Sequence, residues 1–149
     1  MEITDAIRGE HAVYYAWLDE FEELAGAESP DVAVPRFAAL FQSALAGHAM
    51  LEDKLLFDRL ASIDAAREPL EAVREDHHRL NDALTELREC DPGREGRERA
   101  GDIVDLAREH FRREEERIFP LAEEELRGEV LREAGAEWAD RRDVHLGDP

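Results

Sequence analysis

The apolar residues of this chain recur at helical spacing almost from end to end, and no segment alternates as a β-strand would. Four long segments have this period, at residues 4–25, 35–62, 66–89 and 95–125, and a shorter one spans residues 128–142. Each long segment would form a helix roughly 37 Å long, at about 1.5 Å per residue. Because the connections are short, neighbouring helices should be antiparallel. The sequence therefore predicts an all-α fold: an antiparallel up-down four-helix bundle with a short C-terminal fifth helix.

Prolines and turn residues set the predicted boundaries. The first helix should end at the sequence GAESPD (26–31), and Pro35 suits the first turn of the second helix. The sequence CDPG is typical of a turn after the third helix, and Pro120 should kink or break the fourth. We expect one domain over residues 1–142 and a frayed tail over residues 143–149.

The composition argues against several classes of partner. A net charge of −19 disfavours binding to nucleic acid or to anionic membrane surfaces, since both need a basic patch. No run of about 18 apolar residues could span a membrane, and the N-terminus lacks the basic and apolar regions of a signal peptide. We therefore expect a soluble cytoplasmic protein. Cys90 is the single cysteine, which excludes an internal disulfide and a cysteine-based zinc cluster.

The two halves of the chain repeat a pattern that places histidine on an apolar helix face. His11 and His77 are each followed by apolar residues at +3, +7 and +10. The sequences HAMLEDKLLF (48–57) and HFRREEERIF (110–119) share a histidine, a glutamate at +4, a branched aliphatic residue at +8 and a phenylalanine at +9. Positions i and i+4 lie on one helix face, so each histidine and its glutamate should point inward together.

A bundle built from these helices would bring four imidazoles and two carboxylates into one interior layer. Unpaired buried carboxylates are costly, and two that face each other are worse. Two divalent or trivalent cations, bridged by Glu52 and Glu114 and capped by the histidines, would satisfy every group. Imidazole with carboxylate suits iron, manganese or zinc. One histidine alone would more often be a satisfied core residue, but the fourfold pattern favours a metal site, whose candidate residues are His11, His48, Glu52, His77, His110 and Glu114.

Five further carboxylates adjoin these residues in sequence. Adjacent positions on a helix point in different directions, so these side chains are expected to lie on the solvated face rather than to orient imidazoles. They are Glu10, Asp53, Asp76, Glu109 and Glu115.

The pattern resembles the hemerythrin-like, or HHE, cation-binding domain family over about residues 7–126. The motifs that carry the resemblance are EHAVYYAWL, HAMLEDKLLF, DHHRLNDAL and HFRREEERIFP. The resemblance implies a non-haem di-iron centre with an oxo, hydroxo or water bridge. It further implies that His11 and His48 hold one metal and that His77 and His110 hold the other. Manganese or zinc could replace iron.

One position departs from the oxygen-carrying members of that family. Those proteins have a fifth histidine one turn before the ligand on the third helix, where this chain has Val73. His78 could supply another nitrogen, but it is turned about 100° from His77 on an ideal helix, so we expect it on the surface or beside the site. A site with four histidines disfavours reversible oxygen storage and favours peroxide, nitric oxide or oxidative chemistry.

Three functions remain open at this stage. The first is a protein that binds or senses dioxygen or a related small ligand such as nitric oxide or peroxide. The second is an enzyme that degrades peroxide or handles nitric oxide. The third is a non-catalytic bundle in which the metal is buffered or has a structural role. A ferritin-like site is disfavoured, because it needs two Glu-x-x-His motifs and only Glu75 to His78 matches.

Overall fold

The computed structural model describes residues 1–26 and 30–145, apart from the side chains of residues 25, 26, 30 and 31. Within these residues all regular structure is helical, as predicted, and no helix has the length and apolar composition needed to cross a membrane. Its α-helices, numbered in chain order, are α1 (Ile3–Gly26), α2 (Pro30–Glu52), α3 (Asp58–Leu60), α4 (Arg67–Glu89), α5 (Arg94–Arg113), α6 (Phe119–Glu125) and α7 (Gly128–Arg141).

Two π-helical turns join these helices into longer rods. One turn at Asp53–Phe57 connects α2 to α3, and another at Glu114–Ile118 connects α5 to α6. A short 3-10 turn at Asp64–Ala66 precedes α4. Residues 1–26 and 30–145 therefore form four long rods and one shorter helix, which agrees with the five helical segments of the sequence. The π turns were not predicted.

The structure differs from the sequence prediction at two proline-containing boundaries. The second helix begins at Pro30, earlier than the predicted Pro35, which lies inside the helix and removes one backbone hydrogen bond there. Of the predicted kink or break at Pro120, no break occurs, since α6 begins at Phe119 with the proline in its first turn and continues to Glu125. Residues 27–29 of the predicted turn and residues 146–149 of the predicted tail lie outside the described part of the chain.

The long helices pack in a closed order, α1 against α2, α2 against α4, α4 against α5, and α5 against α1, while α7 lies on α1. Contacts along a pair run in opposite sequence directions. His11 contacts His48 near one end of α1, whereas Phe21 stacks on Phe37 near the other. Phe41, which is buried and stacks on Phe37, continues the same apolar contact along α2.

Buried apolar side chains form two clusters, separated by a polar layer. On α1, Ile7 belongs to one cluster and Tyr14 to the other, with His11 between them. Val73 and Leu80 likewise belong to different clusters on α4. Each candidate histidine therefore lies where the two halves of the core meet.

Candidate metal centre

The structure brings all six candidate residues together in the polar layer. They come from four helical rods, and five of them are fully buried, while the His77 side chain is 14% exposed. Two groups of four side chains have ligand-type atoms within 4.8 Å of one another. One group is His11, His48, Glu52 and Glu114, and the other is Glu52, His77, His110 and Glu114. Both glutamates belong to both groups.

Glu52 divides its two oxygens between the groups. Its Oε1 lies 3.3 Å from Nε2 of His48 and 3.8 Å from Nε2 of His11. Its Oε2 lies 3.3 Å from Nε2 of His77. A carboxylate placed in this way can contact two cations at once.

Glu114 has the complementary arrangement. Its Oε2 lies 3.2 Å from Nε2 of His11, and its Oε1 lies 3.4 Å from Nε2 of His110. Glu114 begins the second π-helical turn, just as Glu52 immediately precedes the first. Such turns are frequent at functional sites because the additional residue redirects side chains.

Most of the atoms that face the centre of this layer form no hydrogen bond within the described part of the chain. Among the described residues, neither oxygen of Glu52 or Glu114 forms a hydrogen bond, and neither does Nε2 of His77 or His110. Buried polar atoms are normally satisfied, and a buried carboxylate left alone is strongly destabilising. The donor set of imidazole nitrogens and carboxylate oxygens suits iron, manganese or zinc. The residues therefore fit a pair of cations.

Without a cation, protons must compensate the buried carboxylates. Burial disfavours protonation of His11, but the nearby Glu114 and Glu52 carboxylates outweigh it and raise the pKa of His11 to about 10. Burial raises the pKa of Glu52, but His48, His11 and His77 outweigh it and hold this pKa well below the ordinary value. The pKa of His77 is also raised, because Glu52 and Glu114 outweigh its burial. Metal binding would displace these protons.

Three of the neighbouring carboxylates contact imidazoles, contrary to the expectation that all would lie on the solvated face. Nδ1 of His48 lies 2.6 Å from Oε2 of Glu10. Nδ1 of His11 lies 2.9 Å from Oε1 of Glu115. A hydrogen bond from Nδ1–H fixes the tautomer in which Nε2 is free to bind a metal.

The third of these carboxylates is Asp76, whose Oδ2 lies 3.8 Å from Nδ1 of His110. It is only 2% exposed and forms an ion pair with Arg113. Burial raises the pKa of Asp76, but His110 and Arg113 outweigh it and leave the pKa lowered. Glu10 and Asp76 each precede a candidate histidine but reach a histidine on the neighbouring helix. Adjacency along one helix gave no sign of this, although their matching places in the repeat could have.

The other two carboxylates lie on the surface as expected. Glu109 pairs with Arg112, and Asp53 lies 3.0 Å from Nε of Arg74. The two halves of the site therefore differ, since Asp53 occupies the repeat position of Glu115 and contacts an arginine instead of an imidazole.

Aromatic rings enclose the imidazoles. Phe111 lies 4.5 Å from the His11 ring, measured between centroids. Phe119 stacks on His11 at 5.6 Å, and Phe57 stacks on His77 at 6.2 Å. These three rings separate the site from water.

Two other aromatic residues lie one layer further from the imidazoles. Phe41 and Trp17 both contact Tyr14, with ring centroids 6.0 and 5.7 Å apart. Tyr14 itself meets the His48 ring edge-on at 5.1 Å, and its hydroxyl donates to the carbonyl oxygen of Ala44. Tyr14 was assigned only to the apolar stripe by the sequence, since its spacing matches any core residue.

Neither position considered for a fifth histidine, Val73 or His78, adds a ligand to the site. Val73 is fully buried and belongs to the apolar cluster on one side of the polar layer. His78 is exposed and belongs to neither group of metal-type ligands. Each group therefore contains two imidazoles and two carboxylates.

One protein family matches the chain. Its model, described as the Hemerythrin HHE cation binding domain, matches residues 2–122. Searches of curated proteins and of solved structures gave no significant match. The matched region includes all six candidate residues and ends before α7.

Proposed function

Because the chain belongs to the hemerythrin HHE cation-binding domain family, we propose that it is a non-haem di-iron protein that binds dioxygen or a related small ligand. The observation that carries the proposal is the sharing of Glu52 and Glu114 between two buried groups of ligand atoms. A single cation would leave two imidazoles and part of each carboxylate unpaired. Two cations would use all of them.

In this proposal His11 and His48 hold one iron, and His77 and His110 hold the other. Glu52 and Glu114 bridge the two, each with one oxygen directed to either group. Glu10 and Glu115 accept the Nδ1 protons of two imidazoles, so that Nε2 of each is presented to the metal. When bound, a pair of iron ions supplies redox chemistry and Lewis acidity that the side chains lack.

The fold assignment in the proposal is an antiparallel up-down four-helix bundle with α7 as a fifth helix of the same domain. The closed packing order of the long helices and their oppositely running contacts support it. We place the domain at residues 1–142, since α7 packs on α1 through buried Leu131 and Trp138. The cytoplasm remains the expected location.

A cavity beside the site supports a small ligand. It lies between α2 and α4, has a volume of about 170 Å³, and is lined chiefly by Leu45, Ala46, Ala49, His77, Leu80 and Leu84. His77 is also the one candidate residue whose side chain reaches solvent. An apolar cavity of this size suits a diatomic molecule or peroxide better than a larger substrate.

The first test is the metal content of the purified protein, measured with its visible spectrum before and after anaerobic reduction and exposure to air. Two irons per chain, with near-ultraviolet and visible bands on oxidation, are the expected result. A colourless protein that refuses iron, or takes only zinc, would instead favour the metal-buffering function.

An enzyme of peroxide or nitric oxide chemistry is the second candidate. It is favoured by Val73, because a valine here leaves each group with only two imidazoles for metals that accept five or six donors. Turnover of peroxide by the iron-loaded protein would distinguish this enzyme from a binding protein, which would react at most once.

A further inference from the structure

The C-terminal helix α7 lies beyond the part of the chain matched by the family model, yet it is packed closely on α1. Leu131, Ala134 and Trp138 belong to the same apolar cluster as the start of α1. A Cβ atom on Gly135 would lie 2.5 Å from the carbonyl oxygen of Met1, nearer than a real Cβ can come to backbone. Glycine therefore permits this close approach.

Backbone hydrogen bonds end α7 at Arg142. The amide of Asp143 donates to the carbonyl of Asp140, and that of Val144 donates to the carbonyl of Ala139. Asp143 has a φ of 54°, so these residues form the pair of bonds and the left-handed position of a Schellman motif. Arg142 is the last residue before that turn and is held in place by it.

The Arg142 side chain extends from α7 to the outer side of the candidate metal site. Its Nε lies 2.7 Å from Oε1 of Glu10. The other oxygen of Glu10 lies 2.6 Å from Nδ1 of His48. A Cβ atom on Gly47 would lie 3.5 Å from Nη1 of Arg142, so the guanidinium lies over the residue that precedes His48.

The other half of the site has an arginine in the same role from a different source. Asp76 lies beside His110 and pairs with Arg113, which is three residues after that histidine. The matching position in the first half, three residues after His48, is Leu51, which is buried in the core. The first half of the repeat therefore lacks its own arginine, and α7 supplies one.

We propose that α7 controls the His11 and His48 half of the metal centre through Arg142. Arg142 is a positioning residue: it holds the Glu10 carboxylate in the orientation that accepts the Nδ1 proton of His48, which leaves Nε2 of His48 directed at the metal. The inference rests on the proposed function, since it assigns a role at the same site. It also makes the two metal positions unequal, because only one of them depends on α7.

The test compares iron release from the Arg142→Gln, Arg142→Lys and Arg141→Gln proteins. Arg141 is the matched control, since it is the neighbouring residue and pairs with Glu137 on the surface. A colorimetric chelator is added to protein loaded anaerobically with iron(II). For Arg142→Gln we expect one of the two irons to leave about tenfold faster, the lower end of the usual effect of losing an outer contact. Arg142→Lys keeps the charge and should release iron nearly as the wild type does, and Arg141→Gln should match the wild type.

A second readout separates positioning from docking of α7. In a Trp17→Phe background Trp138 is the only indole, so its emission reports whether α7 stays on α1. For Arg142→Gln we expect the Trp138 emission to be unchanged while one of the two irons is released faster. Shifted emission would assign the loss to an undocked helix and overturn the positioning role.

Gly135→Ala approaches the same relationship from the helix. The added Cβ should move α7 away from α1 and shift the Trp138 emission. One iron should also leave faster, as it does in Arg142→Gln without that shift. Wild-type release from Arg142→Gln, or from Gly135→Ala with shifted Trp138 emission, in protein that holds two irons, would overturn the inference. A wild-type protein that does not hold two irons would instead overturn the proposed function.

Discussion

The Nδ1 atom of His11 lies 2.9 Å from Oε1 of Glu115. Nε2 of the same ring lies 3.2 Å from Oε2 of Glu114, so two consecutive glutamates contact opposite sides of one imidazole. Consecutive side chains of an α-helix point about 100° apart. Glu114 and Glu115 are the first two residues of the π-helical turn. One turn of one helix therefore both contacts the outer side of His11 and contributes a carboxylate that belongs to both ligand groups.

Glu115→Gln tests the outer contact of His11. The amide can still accept the Nδ1 proton, but without the negative charge it should make the imidazole a weaker ligand. We expect metal affinity to fall by about tenfold, measured by competition with a chelator of known affinity.

Glu116→Gln is the control for that change, because Glu116 is exposed and pairs with Arg112. Its affinity should equal that of the wild type. Equal losses in both variants would mean that surface charge matters and that the contact with His11 does not.

Glu114→Ala should affect both metals, because Glu114 belongs to both ligand groups. We expect loss of most of the bound metal and a fall of at least about 5 °C in the melting temperature of the metal-loaded protein, since bound ligand stabilises the folded state. Glu52→Ala should behave in the same way. Elemental analysis and thermal unfolding measure the two effects.

Histidine variants provide the comparison. His77→Ala should lose one metal in preference to the other, whereas the exposed His78 and His145 should be replaceable by alanine without loss. Two metals per chain in Glu114→Ala would contradict the bridging assignment, and metal loss in His78→Ala would return that residue to the site.

The stability of the metal-free protein should depend on pH in a defined direction. The pKa of His11 is raised from 6.5 to about 10. Its contribution to the free energy of unfolding is therefore complete below pH 6.5 and is lost as the pH rises towards 10. The pKa of Glu52 is lowered from 4.5, so its contribution is complete above pH 4.5 and is lost at lower pH. We expect this pair to contribute most to the free energy of unfolding between pH 4.5 and pH 6.5. Urea unfolding of the wild type and of His11→Gln measures this contribution.

The same protons oppose metal binding. His11 is protonated at pH 7 in the metal-free protein and must lose its proton to bind a cation, so affinity should rise with pH. Calorimetric titration in buffers of different ionisation enthalpy should show about one proton or more released per chain. Binding without proton release would contradict the charged state of His11.

Ala49→Phe should fill much of the cavity beside His77. We expect several-fold slower binding of nitric oxide to the iron-loaded protein, measured by stopped flow, with unchanged metal content. Ser43→Phe is the control, since Ser43 is exposed on the same helix and does not line the cavity. Equal rates in both variants would place the access route elsewhere.

The helical fold and the association of the six candidate residues could be predicted because each depends on periodicity. His11 and His77 lie on apolar stripes, and a stripe must face the core in any packed arrangement of helices. The internal repeat then places the glutamates of both His-x-x-x-Glu pairs at one level. None of these inferences needs the position of a neighbouring helix.

The outer contacts depend on neighbouring helices and could not be read from one helix at a time. Glu10 follows the rule that adjacent residues diverge, since it points away from His11, but it does so towards His48. Arg142 lies far away in sequence and reaches the site only because α7 folds back on α1. The helix start at Pro30 was missed for a simpler reason, since both Pro30 and Pro35 suit the first turns of a helix.

The π-helical turns make the chain unusually sensitive to length at two points. Phe57 and Phe119 follow their histidines by nine residues, which on an ideal α-helix turns a side chain by about 180° to the opposite face. Both rings are nevertheless buried against imidazoles, because each wider turn carries the equivalent of one inserted residue. Inserting a further residue between glutamate and phenylalanine, beyond the one that the wider turn absorbs, would leave every ligand type in place but rotate the aromatic cover away from the imidazoles. The spacing of these segments is therefore constrained as strictly as their composition.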